Sequence, residues 1–392
     1  MKKILTTFVI SLFAVVAFGQ QSTPELLKNK ELFEKTDLFE PPQVFADKAA
    51  NAALLRDYEL NKATYKNTQL LPVAVCYLSF GDMKKAKETF EIFLSAKPKN
   101  LRAIRTLGTI SLLSKEVDKA IEYYKKAISL GDEKSVVFIG SAYIMANKQD
   151  EIKQYLPTLK KLAKTNLEAL NIVLIYAGRD KKSFDETLAR EVLGSIDARK
   201  VLESATPDGM STILRIYVAT RKIWNTTAML IPARASALVE AWPLAMQSYK
   251  KILEEQPDNP LALRGMSVVA FRTGDVFGAA DYIMKAYKAG DKDAAMDGIE
   301  LFLLSRNRSV WTMFKDLAKE MSPNPQVRAG IVQYAVGQDD CADMFYYASL
   351  GKDSDLLYKD EGVRKLLEDG IKKYSSDKRA SEVAKRIKES KK

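Results

Sequence analysis

A spacing of 34 residues recurs along this chain of 392 residues. Leu70 and Ile104 stand 34 apart, as do Ala86 and Ala120, Phe90 and Tyr124, and Phe93 and Ala127. Further on, Ala245 and Ala279 keep the interval, as do Ile252 and Ala286. A fixed period of this length marks stacked supersecondary units, none of which can bury its apolar face alone. Each block places apolar residues at i, i+3, i+4 and i+7 twice, which predicts two amphipathic helices per unit. Gly81-Asp82 supplies the turn inside one unit and Gly274-Asp275 the turn inside a later one. Lys97-Pro98-Lys99-Asn100 and Gln256-Pro257-Asp258-Asn259 close units, because proline cannot continue a helix. Gly (18) and Pro (13) are too few for a turn-rich all-β design.

Leu107-Gly108, Ala120, Tyr124 and Ala127, with a bulky residue ahead of them and proline at the unit's end, resemble the tetratricopeptide repeat family. The resemblance is clear over about residues 65–134 and 227–293, and weaker over 135–166 and 294–350. It implies an all-α fold, an α-solenoid of about eight to nine antiparallel helix pairs counted at the family period. The phase breaks in the middle. Pro98 and Pro257 hold equivalent places 159 residues apart, which is neither four nor five periods. Residues 167–226 are therefore read as an irregular helical unit, with Ala205 to Ser211 as its clearest break. One continuous superhelix and two arrays joined by a hinge both remain open.

The expected organisation follows. Residues 1–19 read as a signal peptide: Lys2 and Lys3, an apolar run from Ile4 to Phe18, then small Ala17 and Gly19 before Gln20. Cleavage after Ala17 is the alternative. The run is shorter than the roughly 20 residues that span a bilayer, and no later segment is long and apolar enough. Residues 20–65 form an N-terminal helical segment, 66–166 a first array, 167–226 the irregular unit, 227–350 a second array, and 351–392 a basic C-terminal helical cap. The expected location is periplasmic or secreted.

The net charge of +11 is uneven. Lys2 and Lys3 leave with the signal, and residues 371–392 carry a net +6, which leaves +3 for residues 20–370. No nucleic-acid partner is expected of so nearly neutral a body. The basic cap is a point of peripheral contact with anionic head groups or acidic glycan, or simply a solvated end of the stack.

No histidine occurs, and the two cysteines, Cys76 and Cys341, cannot form a Cys-rich zinc site. Histidine-assisted nucleophiles are excluded with it. No phosphate-binding glycine loop is present; Gly178 to Ser183 only resembles one. No cofactor and no metal are expected, and the chain is not expected to be an enzyme. A carboxylate pair working across a sugar is the remaining catalytic option, with Asp339-Asp340 as its candidate; the simpler reading makes the pair a cap for the helix near Cys341.

In the family resembled, the first helix of each pair lines a concave face. Carried over by helical spacing, that face holds Arg102, Arg105, Thr109 and Leu112 in one block, and Leu261, Arg264, Val268, Phe271 and Arg272 in a later one. Arginine beside Val or Phe suits an extended peptide with acidic or apolar groups. The preceding block offers Thr68, Leu71, Val75 and Leu78, which lack the basic and amide residues of a carboxylate clamp. The expected function is an exported binding scaffold or adaptor for a protein or peptide of the cell envelope. A carbohydrate-active or glycan-binding helical protein is the alternative.

Overall fold

The computed structural model describes residues 48–180, 183–321, 325–337, 341–349, 358 and 361–390. The expected signal peptide, the stretch up to residue 47 and Asp339-Asp340 lie outside the described residues. Among the described residues there are helices and no strand. The chain divides into two compact units, one ending at Pro232 and the other beginning at Ala233. The division falls inside one helix, at a proline that cannot donate a bond to the preceding turn.

In the first unit, helix α1 (Lys48–Leu60) precedes two clear pairs. They are α2 (Leu70–Ser79) with α3 (Met83–Ala96) and α4 (Leu101–Leu113) with α5 (Val117–Ser129); α6 (Ser135–Met145) follows, joined by a short 3-10 segment to α7 (Leu156–Ala163). Then come α8 (Leu167–Ala177), α9 (Glu186–Gly194), the short α10 (Ala198–Glu203), α11 (Pro207–Thr220) and α12 (Thr226–Leu238), which contains Pro232. The second unit continues with α13 (Trp242–Glu255), α14 (Pro260–Arg272), α15 (Val276–Lys288), α16 (Ala294–Ser305), α17 (Arg308–Met321), α18 (Pro325–Gly337), α19 (Cys341–Ser349), α20 (Glu361–Lys373) and α21 (Lys378–Ser390). Each helix packs mainly on its chain neighbours, so each unit is a tetratricopeptide-like stack of helix hairpins.

Local chemistry sets the boundaries. Asn100, Asn166 and Asn259 each accept from the backbone N–H three residues on, at 2.9, 2.9 and 3.0 Å, and so cap α4, α8 and α14. After the closing prolines Pro98 and Pro257, Asn100 and Asn259 start the next helices. Asp82 and Asp275 do the same for α3 and α15.

Three of these helices repeat to the residue. Shifting α3, α4 and α5 by 159 residues gives the bounds of α13, α14 and α15. Left-handed backbone positions shift with them: Lys115 with Gly274, and Gly131 with Gly290. The same two-hairpin unit is thus built once in each half.

What holds a pair together is a large ring set against a missing side chain. A Cβ on Gly108 of α4 would fall 2.5 Å from the ring of Tyr124 on α5. One on Gly298 of α16 would strike Phe314 of α17; between successive pairs, one on Gly265 of α14 would strike Tyr249 of α13. Tyr124, Tyr249 and Phe314 are fully buried, each contributing roughly 2–3 kcal/mol of apolar transfer. Leu107, Phe90, Phe93 and Ile104 fill the first core, and Phe302, Trp311, Phe345 and Tyr347 the second.

The irregular middle has its own polar anchor. Thr206, the cap of α11, donates to the Glu168 carboxylate at 2.6 Å, and Asn171 donates to the Gly209 carbonyl at 3.1 Å. The break expected at 205–211 is the start of α11, tied onto α8. Burial pushes the Glu168 carboxyl up from its ordinary value, only partly offset by the hydrogen bond from Thr206. A raised carboxyl pKa favours the folded state at low pH, and the gain is lost as pH rises through the folded pKa.

Two outcomes follow from this packing. Gly108→Leu forces the Tyr124 ring out of its seat and costs about 1–3 kcal/mol, seen as a lower urea midpoint, whereas Gly194→Leu, which meets open space, changes the midpoint little. Glu168→Gln removes a buried titration, so the fall in stability as pH rises above the ordinary carboxyl range becomes shallower than in the unaltered chain. An unchanged slope in urea titrations above that range contradicts this account of Glu168.

Candidate binding faces

Helices α4 and α14 occupy the same place in their two-hairpin units, and the candidate residues lie on them at matched positions. Arg105 and Arg264 are related by the 159-residue shift, as are Arg102 and Leu261, Thr109 and Val268, and Leu112 and Phe271.

Both arginines meet an aspartate in the turn that ends the unit. Arg105 Nε lies 3.5 Å from Asp132, with both side chains about nine-tenths buried. Arg264 Nη1 lies 3.3 Å from Asp291, the residue at the same position, and its Nε donates at 2.6 Å to Asp297 on α16. Asp132 also accepts from Ser135 at 2.7 Å. Gly131 and Gly290 precede these aspartates with φ of +92° and +100°, a conformation that costs other residues energy. The turn thus aims a carboxylate back at the first helix of its own unit. Sequence reasoning missed these partners. The signal was present as Gly-Asp placed 27 residues after each arginine.

For Arg264, burial pulls the pKa down, but Asp297 and Asp291 outweigh it and the net shift is upward. The guanidinium stays charged with much of its donor capacity engaged.

The two faces differ in exposure. On α4, Arg102, Arg105, Thr109 and Leu112 are all buried; Thr109 shares a hydrogen bond of 3.1 Å with the Tyr124 hydroxyl. Leu71 and Val75 on α2 are buried, while Thr68 and Leu78 are half-buried. On α14, Leu261, Arg264 and Phe271 are half-buried, and Val268 and Arg272 are exposed. In the described residues the open candidate face is therefore that of α14, with an apolar stripe beside one exposed and one ion-paired arginine.

Other side chains are placed as follows. Cys76 is buried, its thiol donates to Asn51 at 3.3 Å, and burial pushes it up to about 12. Trp224 and Trp311 are core residues packed edge-on or tilted against Tyr217 and Phe302, and Trp242 is half-buried at the start of α13. In α21 the apolar stripe Ala380, Val383 and Ile387 is buried in the second core. Lys378, Lys385 and Lys388 remain exposed, and Arg386 and Lys385 pair with Glu382 and Glu389. Among the described residues no cluster of three potential metal ligands occurs, and no helix is long and apolar enough to cross a membrane.

Asp132→Ala removes one charge partner from the well-buried Arg105 guanidinium and costs about 3 kcal/mol in urea unfolding. Asp291→Ala costs less, because the Arg264 pair is more exposed to water. Equal losses would show that the two pairs are not differently buried.

Residues 106–130, the end of α4 through α5, match the family described as Tetratricopeptide repeat. No curated protein sequence matches the chain. Among solved structures, a tetratricopeptide repeat protein from Parabacteroides merdae is 14% identical, with a TM-score of 0.32 over 78% of this chain and 98% of that one. A chain of the APC/C hetero-tetramer Cut9-Hcn1 is 14% identical with a TM-score of 0.34; it covers 79% of this chain, which spans only about half (51%) of that one. PilW, a type IV pilus biogenesis factor, is 15% identical with a TM-score of 0.22 over 77% of this chain and 98% of its own. The chain is a helical-repeat protein that carries a tetratricopeptide repeat at residues 106–130.

Proposed function

We propose that this protein is an exported, non-catalytic scaffold of the cell envelope that holds a peptide segment of a protein partner on the open face of α14. The observation that carries the reading is the open stripe of Leu261, Val268 and Phe271 beside Arg272. A helix in the interior of a hairpin stack normally closes its apolar positions against neighbours. Here Val268 stays 37% exposed while Val269, next to it, is fully buried. An extended segment with apolar side chains and a carboxylate fits such a stripe: the apolar groups lie along Val268 and Phe271, and Arg272 offers the free guanidinium. Arg264, tied to Asp291 and Asp297, serves to hold the stripe's shape.

Export is supported by the charged, apolar and small-residue order of residues 1–19. The non-catalytic part of the reading is supported by the absence of histidine from the sequence, and by Trp224 and Trp311, which are committed to packing rather than to a sugar cleft.

Two measurements test this. Mass spectrometry of the protein recovered from an expressing bacterium is expected to find a chain beginning at Gln20; recovery of an intact Met1 would refute export. Separately, envelope proteins captured on the immobilised chain are expected to be lost by at least about tenfold on Val268→Glu with Arg272→Glu, a change of about 1.4 kcal/mol or more. Helix content should be unchanged by circular dichroism, since both positions are exposed. Capture that survives the double variant places the partner elsewhere.

A further inference from the structure

The 159-residue repeat does not stop at α15. Helices α6 and α16 begin at matched residues, Ser135 and Ala294, and are followed by matched left-handed residues, Asn147 (φ +56°) and Arg306 (φ +52°). Within this match one exchange changes the chemistry. On α6 the position is Phe138, whose ring stacks on Tyr124 with centroids 5.6 Å apart; on α16 it is Asp297. In place of the ring stands a carboxylate held by α14. Arg264 donates to both of its oxygens, through Nε at 2.6 Å and Nη2 at 3.0 Å. A two-pronged pair of this kind fixes orientation as well as distance.

The fork sets the register of α14 against α16. Helix α15 packs on both through short turns, each of which reverses the chain, so α14 and α16 run in the same direction. Residues three, four and seven beyond the fork lie on the fork's side of each helix. On α14 they include Val268, which is 37% exposed, and half-buried Phe271, with exposed Arg272 next to it. On α16 they are exposed Glu300, buried Leu301, and Leu304, which is 70% exposed. Met145, the counterpart of Leu304 on α6, is half-buried. Arg272 and Glu300 have no ion-pair partner among the described residues.

Resting on the partner-binding reading of α14, we infer that α16 is the second wall of that site, and that the segment it takes presents a basic group, an apolar side chain and an acidic group in that order along the two helices. The basic group meets Glu300. The apolar one lies among Val268, Phe271 and Leu304, and the acidic one meets Arg272. The fork aligns Glu300 with Ser267, five residues before Arg272, so the two charges stand about 7.5 Å apart along the helices. An extended chain covers that distance in about two to three residues. A segment with the same charge at both places sets one like pair against itself and is rejected. Arg264 and Asp297 close the strip at one end by holding each other.

The test passes the full chain over immobilised peptides in which Lys-Val-Leu-Asp is flanked by glycine and serine, made in both chain directions. Doubly acidic (Asp-Val-Leu-Asp) and doubly basic (Lys-Val-Leu-Lys) peptides run beside them. The mixed-charge peptide is expected to retain the unaltered chain about tenfold better than either like-charged one. Glu300→Lys is expected to exchange the preference, so that the doubly acidic peptide is held about tenfold better than the mixed one. Leu304→Ser is expected to weaken retention on the mixed peptide by about fivefold. Both positions are exposed, so neither change disturbs the core. A preference unmoved by Glu300→Lys overturns the inference, as does a mixed-charge peptide that fails to retain the unaltered chain. Should Val268→Glu with Arg272→Glu abolish retention while Glu300→Lys and Leu304→Ser leave it intact, α14 binds alone and α16 is no wall. Should all of these variants retain the peptide equally, the α14 reading fails as well.

Discussion

The close approach of neighbouring helices through a glycine is the constraint on which the rest depends. At Gly108, Gly265 and Gly298 a side chain is absent where a tyrosine or phenylalanine ring lies. The ring fills the groove and the glycine lets it do so without pushing the helices apart. A hairpin alone could not keep such a ring dry. Stacking does, because each pair lends one side to the next, and the period of the sequence is the period of that arrangement.

A second constraint is electrostatic. Arginines placed on the first helix look like ligand-binding groups when only their position in the repeat is considered. In three dimensions the turn at the end of the unit turns an aspartate back onto Arg105 and onto Arg264. The Arg105–Asp132 pair sits in the interior and ties the turn to the helix it follows. The Arg264 network is wetter and reaches α16 as well. Part of the positive charge on these faces is therefore spent on holding one hairpin to the next, which leaves Arg272 as the exposed guanidinium on α14. The same economy applies to the basic end of the chain: the apolar stripe of α21 is consumed by the second core, so the exposed lysines are what α21 offers to its surroundings.

The helix pairs, their turns and most of their cores were legible in the sequence, because they follow from local periodicity and from glycine, proline and asparagine chemistry. Tyr124, Ala120 and Phe90 could be placed in the core from spacing alone, and the structure buries them. The candidate faces were legible only as positions. Spacing puts Arg102 and Leu261 at the same point of a helix without saying that the first is buried and the second half-open. The Gly-Asp signal that sets Arg105 and Arg264 was visible but has no meaning until the turn is folded. The tie of Glu168 to Thr206 joins residues 38 apart across the irregular stretch, where no period guides the eye.

The amino-acid sequence by itself determined that this chain is helical, paired and stacked, since hydrogen bonding within a helix and an apolar stripe every few residues are local properties. The tertiary structure alone decided where the stack divides, which arginines are tied to carboxylates, and which of two equivalent faces remains open to water. Those outcomes depend on what packs against a surface from elsewhere in the chain, and burial by distant segments leaves no periodic trace in the residues that are buried.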